Sequence, residues 1–225
     1  MPMATVPAPK PEDFRSGGRL DVEALSIYIW DVLFASLRNE SEPIFPTHVD
    51  ADCSYPLFVT FTEYDYLSQE GGNLRGCIGC LEEIKMSETK DYVRKAAFQD
   101  SRFAAIRERD TTALGAQMSI LHTFEKVDRV LDWEFGTHGM VIEFGVGNRG
   151  YTATYLPEVV DDSFREHGKE YCITELMNKA GYRPNGIHDP KIKDLKLTRY
   201  QSARYNCRYD EYRKYPKHTW IRSPH

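Results

Sequence analysis

Two runs of apolar and aromatic residues, Met140 to Val146 and Gly150 to Tyr155, are joined by Gly147-Asn148-Arg149-Gly150. Glycine and asparagine tolerate the positive φ of a tight turn, so the segment reads as a β-hairpin and commits the chain to antiparallel pairing. Pro157 closes the second strand. Other strand patterns run from Leu57 to Thr62, Leu74 to Leu81, Met118 to Val127 and Leu195 to Tyr205. The first of these is almost wholly β-branched and aromatic.

Helical patterns stand between them. Asp21 can cap a helix to about Arg38, with Val22, Leu25, Ile29, Leu33 and Leu37 as its apolar stripe. Ser87 can cap a second, to about Gln99, with Tyr92, Val93, Ala96 and Ala97 inward. A third spans Glu170 to Ala180, with Gly181 as its C-terminal cap. Residues 39–56 hold Pro43, Pro46 and Pro56 and read as a long loop. The order of elements has no repeating βαβ rhythm. No Gly-x-Gly-x-x-Gly follows a strand, and no Walker loop is present. The pattern predicts an α/β protein of the α+β kind, with a mainly antiparallel sheet flanked by helices.

A chain of 225 residues allows one large domain or two small lobes. A globule this size buries roughly 70–75% of its unfolded surface, so it needs no metal or disulfide to fold. The formal charge of −5 argues against coating nucleic acid or an anionic membrane with the whole surface. Five cysteines are too few, and odd in number, for a secreted disulfide scaffold. Residues 1–18 carry four early prolines and no apolar core after a basic start, so they read as a disordered Pro-rich leader and not a secretory signal. No run approaches the roughly 18 apolar residues of a membrane span. The expected location is the cytoplasm or nucleus, with no membrane contact and with reduced thiols.

The most informative stretch is Gly71-Gly72-Asn73-Leu74-Arg75-Gly76-Cys77-Ile78-Gly79-Cys80. Strand alternation places Leu74, Gly76 and Ile78 on one face and Arg75, Cys77 and Gly79 on the other. A guanidinium beside a thiol stabilises the thiolate, which is how nucleophilic cysteines are made. Gly76 and Gly79 leave room for a ligand or another chain segment to approach the backbone. The competing reading is a buried cysteine acting as a small apolar residue, with the glycines serving a bulge. Cys77-x-x-Cys80 has zinc-knuckle spacing but lacks a second ligand pair, and it sits in a strand and not at the start of a helix. No metal and no cofactor is therefore expected.

Asp100 and Arg102 form a second cluster: the pair either braces a turn or lets Arg102 hold an anionic group. His138, between Thr137 and Gly139, is a turn histidine, a candidate acid–base or a surface polar residue. His122 lies mid-strand, as an inward, hydrogen-bonded ring. The C-terminal stretch carries Arg199, Arg204, Arg208, Arg213, Lys214, Lys217 and Arg222 with Tyr200, Tyr205, Tyr209, Tyr212, Tyr215 and Trp220 interleaved. Such a stretch either stacks on single-stranded nucleic acid or packs as a basic amphipathic end on an acidic body.

Leu74-Arg75-Gly76-Cys77-Ile78-Gly79 resembles the signature hexapeptide of the AMMECR domain family. The resemblance continues through 96–103, 119–121, 131–134, 139–144, 152–159 and 196–200, and so covers roughly residues 20–210. The run Thr152-Ala153-Thr154-Tyr155-Leu156-Pro157-Glu158-Val159 looks like that of a eukaryotic member. The resemblance implies a larger and a smaller subdomain on a mainly antiparallel sheet. Relatives occur beside, or fused to, Memo-type and radical-SAM proteins, which implies a neighbourhood of redox or metal-linked biochemistry. A general role in transcription, replication, repair or translation has been proposed for the family, and no reaction is established for it. Cys80 falls outside the signature, so Cys77 is the thiol of interest.

The expected organisation is a leader over 1–18, one AMMECR-like domain over 19–210 and a basic, aromatic tail over 211–225. Three functional readings follow. The first is an interaction or regulatory module with protein partners. The second is an enzyme or small-molecule site, with Cys77, Arg75 and His138 as catalytic candidates and Gly76, Gly79, Asp100 and Arg102 as binding residues. The third is nucleic-acid binding through the C-terminal stretch.

Overall fold

A computed structural model describes residues 9–64 and 72–215. The chain forms two compact units, a larger one of residues up to Leu121 together with those from Ala203 on, and a smaller one of His122–Ser202. Gly71, residues 1–8 of the expected leader, and Lys217, Trp220 and Arg222 of the expected tail lie outside the described residues.

The larger unit is organised around helix α1 (Val22–Arg38). Asp21 caps it: its Oδ1 accepts the Ala24 N–H at 2.9 Å. Asn39, in the left-handed conformation at φ 54°, ends it. The expected stripe is present, with Val22, Leu25, Ile29 and Leu33 buried and Leu37 partly so. Ile27, Trp30 and Val32 are buried as well, so α1 is covered on more than one side. Strand β1 (Ser54–Glu63) aims Leu57, Val59 and Phe61 at this core and Phe58, Thr60 and Thr62 away from it. It pairs antiparallel with β2 (Asn73–Lys85) on one side and β3 (Leu114–Val127) on the other.

Helix α2 (Thr89–Phe98) packs on β1 and β2. It begins two residues after the expected cap. Ser87 falls inside a 3₁₀ turn, Met86–Glu88, which starts the helical winding before α2 proper. The long strand β6 (Ile192–Arg208) runs into a single turn, α5 (Tyr209–Tyr212).

The expected disorder of the leader does not extend over its end. Pro11–Phe14 forms a 3₁₀ turn, and Phe14 is buried in the core. Two carboxylates gather its polar groups. Asp13 accepts the Lys10 N–H at 2.8 Å and pairs with Arg19 at 3.0 Å, while Asp21 accepts the Gly17 N–H at 2.6 Å. One aromatic anchor and satisfied backbone donors offset the entropy that prolines alone leave to the chain.

In the smaller unit, β4 (Gly139–Val146) and β5 (Arg149–Tyr155) form the expected hairpin. Val146 pairs with Arg149, so the turn is the two residues Gly147-Asn148, with Gly147 at φ 59°. Pro157 does more than end β5. It opens an unexpected helix, α3 (Pro157–Phe164), where its missing N–H costs nothing. Helix α4 (Lys169–Lys179) ends before Gly181 at φ 93°. Trp133, Met140, Ile142, Cys172 and Leu176 lie in a second core.

The strand order is β2-β1-β3-β6-β4-β5, and the β1–β2, β1–β3, β4–β5 and β4–β6 pairings are antiparallel. This is the α+β architecture that the sequence pattern predicts. Among the described residues, no helix is long and apolar enough to cross a membrane.

Candidate functional site

Cys77 sits on β2, at one end of the strand order, directly opposite Thr60 of β1. Opposed side chains of an antiparallel pair share a face. Thr60 Oγ1 accordingly donates to Cys77 Sγ at 3.3 Å, and both residues are half-buried. The backbone of a terminal strand presents unpaired N–H and C=O groups on its outer side. Asp100 and Arg102, in the turn after α2, meet those of Cys77. The Cys77 N–H donates to Asp100 Oδ2 at 2.9 Å, and Arg102 Nη2 donates to the Cys77 carbonyl at 2.9 Å. Arg102 also grips Asp100 through Nε at 2.9 Å and Nη2 at 2.7 Å. A carboxylate and a guanidinium therefore take the place of a neighbouring strand. The Asp100 side chain is 4% exposed and that of Arg102 is 55% exposed. The Arg102 guanidinium, with help from the Cys77 and Arg102 N–H groups, holds the Asp100 carboxyl far below the usual carboxylate range.

The face assigned to Leu74 by simple alternation is corrected by a β-bulge. Phe61 pairs with Gly76 and Thr62 with Leu74, so Arg75 is an extra residue on β2. The bulge brings Leu74, 43% exposed, to the Thr60–Cys77 face. It aims Arg75 at the segment after α2, where Nη1 donates to the Ala104 carbonyl at 2.6 Å and Nη2 lies 3.7 Å from Asp110. The Arg75 side chain is 14% exposed. Gly76 and Gly79 do admit close approach, and chain segments make it. A Cβ on Gly76 would stand 2.3 Å from the Ala96 carbonyl of α2, and one on Gly79 would stand 2.5 Å from the Phe58 ring.

His138 joins none of these residues. It belongs to the smaller unit, where it is buried and its Nδ1 accepts the Glu134 N–H at 3.0 Å, closing the turn before β4. Burial, with Arg199 acting in the same direction, lowers its proton affinity. The structure thus brings together Cys77, Gly76, Asp100 and Arg102, ties Arg75 to a neighbouring segment, and sets His138 in a separate polar cluster.

The sequence profile of the AMMECR1 family matches residues 28–205. The chain belongs to the AMMECR1 family. An uncharacterized protein of Arabidopsis thaliana is 37% identical over 201 residues, covering 87% of this chain and 89% of that protein. One from Schizosaccharomyces pombe is 36% identical over 196 residues, covering 86% of this chain and 96% of its own. A crystal structure of an uncharacterized protein from Pyrococcus horikoshii shares the fold, with a TM-score of 0.64 at 21% identity over 85% of this chain and 91% of that one.

In this AMMECR1-family chain Thr60 is the site residue that sequence reasoning missed. A threonine in an apolar strand carries no signal of its own, and only the register puts it on Cys77. The other thiols divide by burial. Cys53, Cys172 and Cys207 are buried, and burial pushes their thiols up to about 11, 12 and 12. Cys80 lies 3.7 Å from Tyr92 of α2. Three residues apart on a strand, Cys77 and Cys80 point to opposite faces, which removes the geometry of a dithiol pair. His122 Nδ1 lies 2.9 Å from Thr123 Oγ1, and burial lowers its proton affinity. Among the described residues no group of three or more His, Cys, Asp or Glu side chains could hold a metal ion.

Proposed function

We propose that the chain is an intracellular interaction module, working in the cytoplasm or nucleus, in which the signature strand is a structural element and the surface carries the partner contacts. The carrying observation is the commitment of Asp100 and Arg102 to the backbone of Cys77. An enzyme needs these groups aimed at a substrate, whereas here both are aimed at the chain. Arg75 supports the same reading through its bond to Ala104, as does His138 through its bond to Glu134. The five cysteines, none of them joined in a disulfide, fit a reducing compartment.

The test is partner capture from cells with wild-type, Cys77→Ser and Leu74→Asp chains, each checked for its unfolding temperature. The reading predicts the same partners for Cys77→Ser and their loss for Leu74→Asp, a change on the exposed part of the signature face. Loss of partners in Cys77→Ser with an unchanged unfolding temperature would return the function to the thiol.

One observation favours a second reading, a small-molecule or covalent site at Cys77. Its sulfur accepts a bond from Thr60, and the half-exposed Arg102 sits on the carbonyl of the same residue. A small electrophile modifying Cys77 much faster than Cys80 in the folded chain would support it. The nucleic-acid reading gains less, because two of the described cations and two of the tyrosines of that stretch are engaged. Arg199 bonds Glu125 and Asp132, Arg208 lies over the Tyr64 ring, and Tyr212 and Tyr215 donate to carboxylates.

A further inference from the structure

The last described residues return onto α1 through paired tyrosines and carboxylates. The Tyr212 ring stacks on Trp30 at 5.5 Å and on Phe34 at 5.7 Å between centroids, and Tyr209 packs on Trp30 at 5.7 Å. Tyr212 donates its hydroxyl to Asp31 at 2.8 Å, and Tyr215 donates to Glu23 at 2.7 Å. Tyr205 of β6 donates to Glu211, and Tyr205 also contacts the Tyr215 hydroxyl. A network of phenols and carboxylates therefore fastens residues 209–215 over a helix whose Trp30 is fully buried.

This fastening depends on the proton of each phenol. A phosphoryl group on the same oxygen has no proton to donate and carries about two negative charges. At Tyr215 that group would face Glu23 directly, with Glu211 on the far side of Tyr205. Among the described residues, two cations stand beside Tyr215 in the chain. Arg213 lies over the Tyr209 ring at 5.8 Å, and Lys214 is exposed. Tyr215 is only half-buried and follows a single helical turn, so local fraying of that turn presents it.

We propose that Tyr215 is a phosphorylation site and that its modification by a protein tyrosine kinase releases residues 209–215 from α1. In the step, the phenolic oxygen of frayed Tyr215 attacks the γ-phosphorus of ATP. The bond from that phosphorus to the β-phosphate oxygen breaks, ADP leaves, and the phenolic proton passes to the catalytic base of the kinase. The new phosphate meets Glu23 when the segment tries to return, so the frayed population grows. The proposal does not depend on the interaction reading of the Cys77 strand.

The test uses the full chain, ATP and a purified tyrosine kinase selected because it phosphorylates a free peptide of residues 205–225. Mass spectrometry locates the phosphate. Hydrogen–deuterium exchange then reads the Arg213, Lys214 and Tyr215 amides, which are bonded to the Tyr209, Glu211 and Tyr212 carbonyls. The expected results are phosphate on Tyr215 and exchange of these amides faster by about fivefold or more. Glu23→Gln, which removes the facing charge, should show a smaller acceleration on phosphorylation. Failure of folded Tyr215 to accept phosphate overturns the proposal. So does unchanged exchange after phosphorylation, or an equal acceleration in Glu23→Gln.

Discussion

Arg102 donates to the Cys77 carbonyl at 2.9 Å while gripping Asp100, which itself accepts the Cys77 N–H at 2.9 Å. One residue of β2 is thus held at both of its backbone polar groups by a single ion pair from the turn after α2. The pair is asymmetric, because its carboxylate is buried and its guanidinium is half in solvent. Removing the carboxylate leaves a donor without a partner, whereas removing the guanidinium leaves a carbonyl that water can reach.

Asp100→Ala should therefore destabilise the chain more than Arg102→Ala. The expected loss for Asp100→Ala is about 1–3 kcal/mol, the cost of an unsatisfied partly buried donor together with a lost charged partner. Urea unfolding of both variants checks the order. Equal and negligible losses would mean that the clamp contributes nothing to folding.

The acid limb of stability should report the same group. The folded-state affinity of Asp100 for a proton is depressed by Arg102, so its contribution is fully present above the unfolded carboxylate value of about 3.9. It is lost as pH falls from there toward the folded value. Between roughly pH 5 and 2, the unfolding temperature of the wild type should fall more steeply than that of Asp100→Asn. Parallel curves would show that Asp100 titrates in the folded chain as it does in the unfolded one.

Gly76→Ala tests the packing behind the motif. Its Cβ would meet the Ala96 carbonyl at 2.3 Å, so α2 must shift. A cost of about 1–3 kcal/mol is expected, read as a lower thermal midpoint by circular dichroism. An unchanged midpoint would mean that α2 yields freely.

Cysteine labelling should split the five thiols by position. Cys77 and Cys80 are half-buried and should react with a maleimide in the folded chain. Cys53, Cys172 and Cys207 are buried and should react only on unfolding. Labelling of all five at one rate in native buffer would contradict the core described here.

Much of this fold was legible because local signals and burial agreed. Asp21 before an apolar stripe gave α1, and glycine with asparagine between two strands gave the β4–β5 hairpin. The misreadings fall where one residue type serves two roles. Pro157 both ends a strand and starts α3, and its neighbours did not separate the two. The prolines of 1–18 signalled an extended leader, but Phe14 and two aspartates order its end. At the site, Asp100 and Arg102 were legible as a turn brace. What they brace was not, because Cys77 lies more than twenty residues away in sequence. The bulge at Arg75 was equally hidden: strict alternation is the default, and a single extra residue reverses the face of Leu74.

The Asp100–Arg102 pair is spent on the backbone of Cys77. Amide hydrogen exchange at Cys77, followed residue by residue by NMR in wild type and Asp100→Ala, tests it most directly. Slow exchange is expected in the wild type and acceleration of about tenfold or more in the variant, with Val59 of β1 as an internal reference. Wild-type exchange at Cys77 as fast as at an open strand edge would contradict it, and would leave the carboxylate and the guanidinium available for chemistry at the thiol.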